Sequence, residues 1–205
     1  MILPGPKSTV TDLSVLRSGG LDLAIRRRAQ EGRPILGVCG GFQMLGQRII
    51  DPVESGADEV AGLGVLQVIT EFHDDKVLGR CAGMQRLDAA CEGYEIRHGR
   101  PRVLSGAPMI ESVDGEEGCV QGADWGTSWH GVFESDDFRK TFLQWSAANV
   151  GDWTPGICLS VQPGRPNPIA WGLLSPAMQI RKVLMGPVEQ GAPICLPVLS
   201  PTGVT

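Results

Sequence analysis

The chain has 205 residues, 42% hydrophobic and 20% charged, with a formal net charge of −5 and an isoelectric point near 5.2. That length supports one domain with a real core, and the acidic balance argues against a general nucleic-acid binder. No apolar run approaches the roughly 20 residues of a membrane span, and the N-terminus shows no basic segment leading into an apolar one, as a secretory leader would.

Six cysteines lie far apart, at positions 39, 81, 91, 119, 158 and 195, and none forms a Cys-x-x-Cys pair. Neither a zinc site nor a redox motif is indicated, and the cysteines read as reduced thiols of a cytoplasmic protein. Only three histidines occur, His73, His98 and His130, so any Cys–His chemistry must use one of them.

Met1-Ile2-Leu3 reads as the tail of a buried strand, followed by the turn Pro4-Gly5-Pro6-Lys7. An interior parallel strand is normally reached through earlier secondary structure, so the fold is expected to be incomplete at its N-terminus. Ser8 to Asp12 offers helix caps, with Asp12 favourable in a first turn. Leu13, Leu16, Leu21, Leu23 and Ile25 then suggest helix, broken at Gly19-Gly20. Arg26-Arg27-Arg28 before Gly32 reads as a helix end, with basic side chains near its negative pole.

Pro34-Ile35-Leu36-Gly37-Val38 is an apolar run bounded by turn residues and fits a strand buried on both faces. Cys39-Gly40-Gly41 follows, and a helix is expected from about Gly41 to Arg48. A residue on such a strand-to-helix turn sits where a nucleophile elbow would hold it. The helix N-terminus would favour thiolate over thiol at Cys39, and the Gly40 N–H would point where an oxyanion could form. A cysteine in an apolar run can equally be a small buried hydrophobe.

Asp51 to Ala61 is acidic and short of apolar residues and reads as a loop. Gly62 to Thr70 is strand-like, and Gly93 to Gly99 reads as another short strand. Glu111 to Gly122 reads as a hairpin or surface loop. Trp125 to Phe133 reads as a strand ending at His130, and Ser135-Asp136-Asp137 caps a helix through Phe138, Phe142, Leu143 and Trp145. Alternating strands and helices are the grammar of an α/β fold with a mostly parallel sheet flanked by helices. From Gly151 the character changes: residues 151–205 hold nine of the fifteen prolines and few charges. Residues 1–150 are therefore taken as the domain, and 151–205 as a poorly ordered, proline-rich tail.

Several spaced motifs, in one order, resemble the C-terminal class I (triad-type) glutamine amidotransferase domain of cobyric acid synthases. They are Leu3 to Leu13, Gly37-Val38-Cys39-Gly40-Gly41-Phe42-Gln43-Met44-Leu45-Gly46, Asp51 to Ser55, Gly62 to Leu66, Gly93-Tyr94-Glu95-Ile96-Arg97-His98-Gly99 and Trp129-His130-Gly131-Val132-Phe133-Glu134. The resemblance covers about residues 1–150 and implies a flavodoxin-like α/β fold. It implies Cys39 as nucleophile and His130 as general base and later acid. It implies Gly5 and Gly40 as sources of oxyanion N–H groups, and Gln43 as a contact to the substrate glutamine. His98 is the runner-up base, and Tyr94 and Glu95 either line the cobyrinate side of the pocket or are structural. Val132 stands where other class I amidotransferases place the glutamate that holds the imidazole.

The same resemblance implies that ammonia from glutamine amidates carboxylates of adenosylcobyrinic acid a,c-diamide, a step of cobalamin biosynthesis. No cofactor is expected on this chain. ATP and Mg²⁺ belong to a separate synthetase domain, since no Gly-x-x-x-x-Gly-Lys-[Ser/Thr] occurs here. Neither nucleic acid nor a membrane is an expected partner. The alternatives are an inactive remnant of that enzyme and a glutaminase subunit of a related amidoligase with a separate ATP-binding partner.

Overall fold

The computed structural model describes residues 1–150, and the segment expected to be a proline-rich tail lies outside the described residues. In chain order the elements are β1 (Ile2–Leu3), α1 (Thr9–Ser18), α2 (Leu21–Gln30), β2 (Ile35–Val38), α3 (Gly40–Leu45), β3 (Arg48–Asp51), β4 (Ala57–Ala61), β5 (Val68–Gln85), β6 (Ala89–Val103), β7 (Ile110–Ser112), β8 (Gly115–Glu117), β9 (Cys119–Gln121), β10 (Asp124–Thr127) and α4 (Asp136–Ala148). A short 3-10 turn, Val132–Glu134, precedes α4.

The first sheet runs β1-β2-β10-β9. β2 is parallel to both neighbours, with Leu3 beside Gly37 on one side and Thr127 beside Val38 on the other. Its apolar run is buried because its two faces feed two cores. Ile35 joins Leu13, Leu16, Ile25 and Phe42 from the helices on one side. Leu36 joins Trp125, Trp129, Phe138 and Phe142 on the other. The α/β class and the parallel strands at its centre are as the sequence predicts. Helices cover both faces, so period-2 alternation is absent from β2.

The second sheet runs β4-β3-β5-β7-β8, with β6 also on β5, and only its β3–β5 pair is parallel. The 18-residue β5 and 15-residue β6 form a long hairpin whose register shifts between Phe72 and Val77. Gly93 to Gly99, expected as a short strand, is thus the middle of β6, and the strand expected over 62–70 begins only at Val68. The expected loop 51–61 holds edge strand β4. With one neighbour and mostly exposed side chains, it needs no apolar face. The helix expected to reach Arg48 stops at Leu45, and Arg48 opens β3 instead, because Gly46 turns the chain into extended backbone (φ −64°, ψ −180°). Leu23, read as an inward position of α2, is exposed, while Ile25 is buried.

The motif Asp51 to Ser55 has a local cause. The buried Asp51 carboxylate accepts the N–H groups of Val53, Glu54 and Ser55 at 3.2, 2.8 and 3.0 Å, a side-chain-to-backbone turn. No helix among the described residues is long and apolar enough to cross a membrane.

Candidate active site around Cys39

Cys39 lies between the end of β2 and the start of α3, with φ 50° and ψ −114°. For a residue with a Cβ this is strained backbone, costing on the order of 1–3 kcal/mol. The surroundings hold it there. The Cys39 N–H donates to the Thr127 carbonyl at 2.7 Å, and the Cys39 carbonyl accepts the Gln43 N–H at 3.1 Å. The helix behind it sits directly on the sheet edge. A methyl on Gly41 would lie 2.0 Å from the Leu3 carbonyl oxygen, a close approach only glycine permits. The glycine pair after the cysteine is therefore a requirement of the turn.

The sequence places the general base at a strand end. In the structure β10 stops at Thr127, and His130 lies three residues beyond it. There His130 forms an isolated antiparallel bridge with Tyr94, its N–H donating to the Tyr94 carbonyl at 2.8 Å and its carbonyl accepting the Tyr94 N–H at 3.0 Å. Gly5, in the turn after β1, brings the two halves together. A methyl built on it would stand 3.0 Å from the Cys39 Cβ and 3.3 Å from the His130 Cε1. Gly5, Cys39 and His130 thus converge on one point, although they come from three separate stretches of chain.

The Gly40 N–H hydrogen-bonds the Cys39 sulfur and, with the Arg97 charge, pulls the thiol pKa down. Burial outweighs both, with Glu54 and Glu95 adding to it, and the thiol is pushed up to about 11. The sequence-based expectation that the helix N-terminus would favour thiolate is thereby corrected. The helix has only six residues, and desolvation of the charge is the larger effect. Burial also holds the His130 imidazole below its usual range. Its Nε2 is buried without a hydrogen-bond partner among the described residues. Burial thus works against charge on both members of the pair.

Gln43 is 2% exposed. Its Oε1 accepts the Thr9 hydroxyl at 3.0 Å, and its Nε2 would lie 2.5 Å from a methyl on Gly99. The side chain is one helical turn from Cys39 and clamped between α1 and β6. His98 turns to other partners: its Nδ1 lies 2.9 Å from the His73 carbonyl oxygen and its Nε2 4.0 Å from Glu54. Arg97 is paired with Glu95 at 2.6 Å and donates to the Gly99 carbonyl at 2.8 Å.

Three contributors escape the sequence reading. Thr9 falls inside a motif quoted for its resemblance, but its buried partner Gln43 is 34 residues away. Glu117, in the segment read as a hairpin or surface loop, accepts the Thr127 hydroxyl and the Ser128 N–H, both at 2.6 Å. It thereby anchors the stretch that carries His130. Burial raises the Glu117 pKa, against the pull of those hydrogen bonds. Nothing in a glycine-bearing acidic segment signals that role. The third is the stacking of Tyr94 on His130, with ring centroids 5.2 Å apart and planes 13° from parallel.

Known proteins share this arrangement of chain. The chain is similar to the cobyric acid synthase of Nocardia farcinica (strain IFM 10152), 49% identical over 166 residues, which cover 74% of this chain and 32% of that one. It is similar to that of Streptomyces coelicolor (strain ATCC BAA-471 / A3(2) / M145), 49% identical over 151 residues, covering 74% and 29%. It thus spans about a third of the length of these relatives. A solved structure described as a glutamine amidotransferase superposes with a TM-score of 0.55 at 23% identity, covering 71% of this chain and 77% of that one, and shares its fold. The CobB/CobQ-like glutamine amidotransferase domain matches residues 1–138, a span that runs from the turn at Gly5 through the elbow to His130 and into α4, and the chain belongs to that family.

Proposed function

We propose that this chain is the glutamine-hydrolysing part of an enzyme of the cobyric acid synthase type, with Cys39 and His130 as its reacting pair. The convergence of Gly5, Cys39 and His130 at a strained elbow carries this reading. The Cys39 thiol gives its proton to the free Nε2 of His130, and the sulfur attacks the side-chain amide carbon of glutamine. The N–H groups of Gly40 and Gly5 serve the oxyanion that forms. The imidazolium returns its proton to the departing nitrogen, the C–N bond breaks, and ammonia leaves a glutamyl thioester. Water, deprotonated by His130, then releases glutamate and restores the thiol.

On this reading the ammonia serves amidation of carboxylates on adenosylcobyrinic acid a,c-diamide. Activation of those carboxylates by ATP and Mg²⁺ falls to the portion of the relatives that this chain does not span. The family match and the names of the relatives support that assignment. The test is glutamate release from glutamine by the purified 205-residue chain beside its Cys39→Ala and His130→Ala variants. Release by the parent, lost in both variants, supports the reading. Release that survives in Cys39→Ala contradicts it, and no release by a cooperatively melting chain favours the inactive form.

A further inference from the structure

In triad enzymes an acidic side chain fixes the imidazole. The position two residues after His130 is Val132, buried at 1% exposure in an apolar cluster with Phe138 and Phe142. Yet a base with a free buried Nε2 must be held at one angle to accept a proton from Cys39. The contacts around His130 point to one group that can do this. The phenol ring of Tyr94 lies flat on the imidazole, 5.2 Å between centroids at 13°. The two residues also exchange both backbone hydrogen bonds, at 2.8 and 3.0 Å. Backbone and side chain are thus registered together.

We propose that Tyr94 is the positioning residue of His130: its ring face sets the imidazole plane and stabilises the imidazolium formed when Cys39 gives up its proton. The proposal rests on the reading of Cys39 and His130 as the reacting pair. An aromatic face attracts a cation, and at a partly exposed site this is worth a few-fold in the equilibrium between neutral and charged imidazole. It opposes the burial that pushes His130 down. The titratable groups on the elements packed around the ring are Cys39 on the elbow, Tyr94 with the Glu95–Arg97 pair on β6, and Glu134 on the following turn. No carboxylate is hydrogen-bonded to the imidazole among the described residues, and the group stacked on its face is the Tyr94 ring.

Tyr94 is 39% exposed. It also lines a groove of about 780 Å³, with Arg80, Glu92, Gly131, Glu134 and Asp136 among its other walls. Substitution there opens no core cavity, so the ring can be changed with the fold intact. The experiment is an NMR titration of the three histidines in the full chain, with His130 assigned by its loss in His130→Ala. Tyr94→Phe keeps the ring face, and Tyr94→Leu keeps bulk without it. The expected result is a wild-type titration in Tyr94→Phe and a His130 midpoint lowered by about half a pH unit in Tyr94→Leu. A roughly tenfold fall of kcat for glutamine hydrolysis should accompany the Leu change and be rescued by Phe.

His130 titrating alike in the parent and in Tyr94→Leu would overturn the proposal. So would equal loss of activity in Phe and Leu, because the hydroxyl would then be the acting group. The titration needs no turnover. A chain that hydrolyses no glutamine but shows the shift would contradict the assigned reaction and leave the Tyr94–His130 coupling established.

Discussion

Gly5, in the turn after β1, lies so close to Cys39 that a methyl on it would come into contact with the Cys39 Cβ at 3.0 Å and the His130 Cε1 at 3.3 Å. That contact makes the β1 turn part of the site. Gly5→Ala is therefore expected to displace the sulfur or the imidazole by a fraction of an ångström. Glutamine hydrolysis should fall by about tenfold, since a full misplacement of about 1 Å costs about a hundredfold. Gly5 lies outside the cores, so the midpoint of urea unfolding should barely move. Steady-state kinetics and a urea titration on the same preparation check both halves.

Phe42 fills the space above Gly126 so completely that a methyl there would stand 2.0 Å from its Cδ2. Gly126→Ala should cost about 1–3 kcal/mol by overpacking. Phe42→Leu should recover part of that cost in the double variant, so the two effects will not add. Equilibrium unfolding of the four proteins gives the coupling. Simple additivity would mean that the ring swings away freely.

Asp124, at the head of β10, has a buried Oδ1 without a hydrogen-bond partner among the described residues. Burial raises its pKa to about 6, against the pull of Arg28. The folded chain therefore holds this proton more tightly than the unfolded chain, whose carboxyl titrates near 3.8. Stability from this group is present below pH 4 and is lost as pH rises through about 6. Asp124→Asn should remove that slope and gain about 1 kcal/mol at pH 7, a figure reduced for partial solvent screening, with no gain at pH 4. Urea unfolding at the two pH values reads it directly.

The thiol of Cys39 is pushed up to about 11. Since the thiolate is the reactive form, alkylation of Cys39 by iodoacetamide without glutamine should be slow at pH 7. It should climb with pH through 9, with no plateau below that value. Peptide mapping separates it from the other five cysteines, of which Cys81, Cys91 and Cys119 are free thiols among the described residues. A plateau with a midpoint below 8 would mean that the resting site already holds an ion pair.

The site was more legible in the sequence than the sheet that encloses it. Pro34 to Gly46 states its own structure, because a doubly buried strand, a strained turn and close helix packing each demand residue types that stand there. His130 was reachable because so few histidines compete with it. The β5–β6 hairpin was not, because Glu71, Asp74 to Lys76 and Gly79 to Ala82 carry little apolar alternation. Pairing holds Glu71 and Gly79 to Ala82 more than burial does, and Asp74 to Lys76 fall in the exposed register break between Phe72 and Val77. Glu117 was invisible for a related reason: its partners Thr127 and Ser128 are fixed only by the folded arrangement of β8, β9 and β10. The charge state of the elbow is not legible in the sequence, because a helix N-terminus can be read there, whereas the burial that outweighs it cannot.

The proposed chemistry turns on Cys39 as the residue that attacks glutamine. The most direct measurement incubates the 205-residue chain with 6-diazo-5-oxo-L-norleucine, a glutamine analogue that alkylates the attacking nucleophile, and locates the adduct by peptide mass spectrometry. One adduct is expected, on the peptide bearing Cys39, suppressed by excess glutamine and lost in His130→Ala. An adduct on any of the other five cysteines instead, or none in a chain that still releases glutamate, would contradict it.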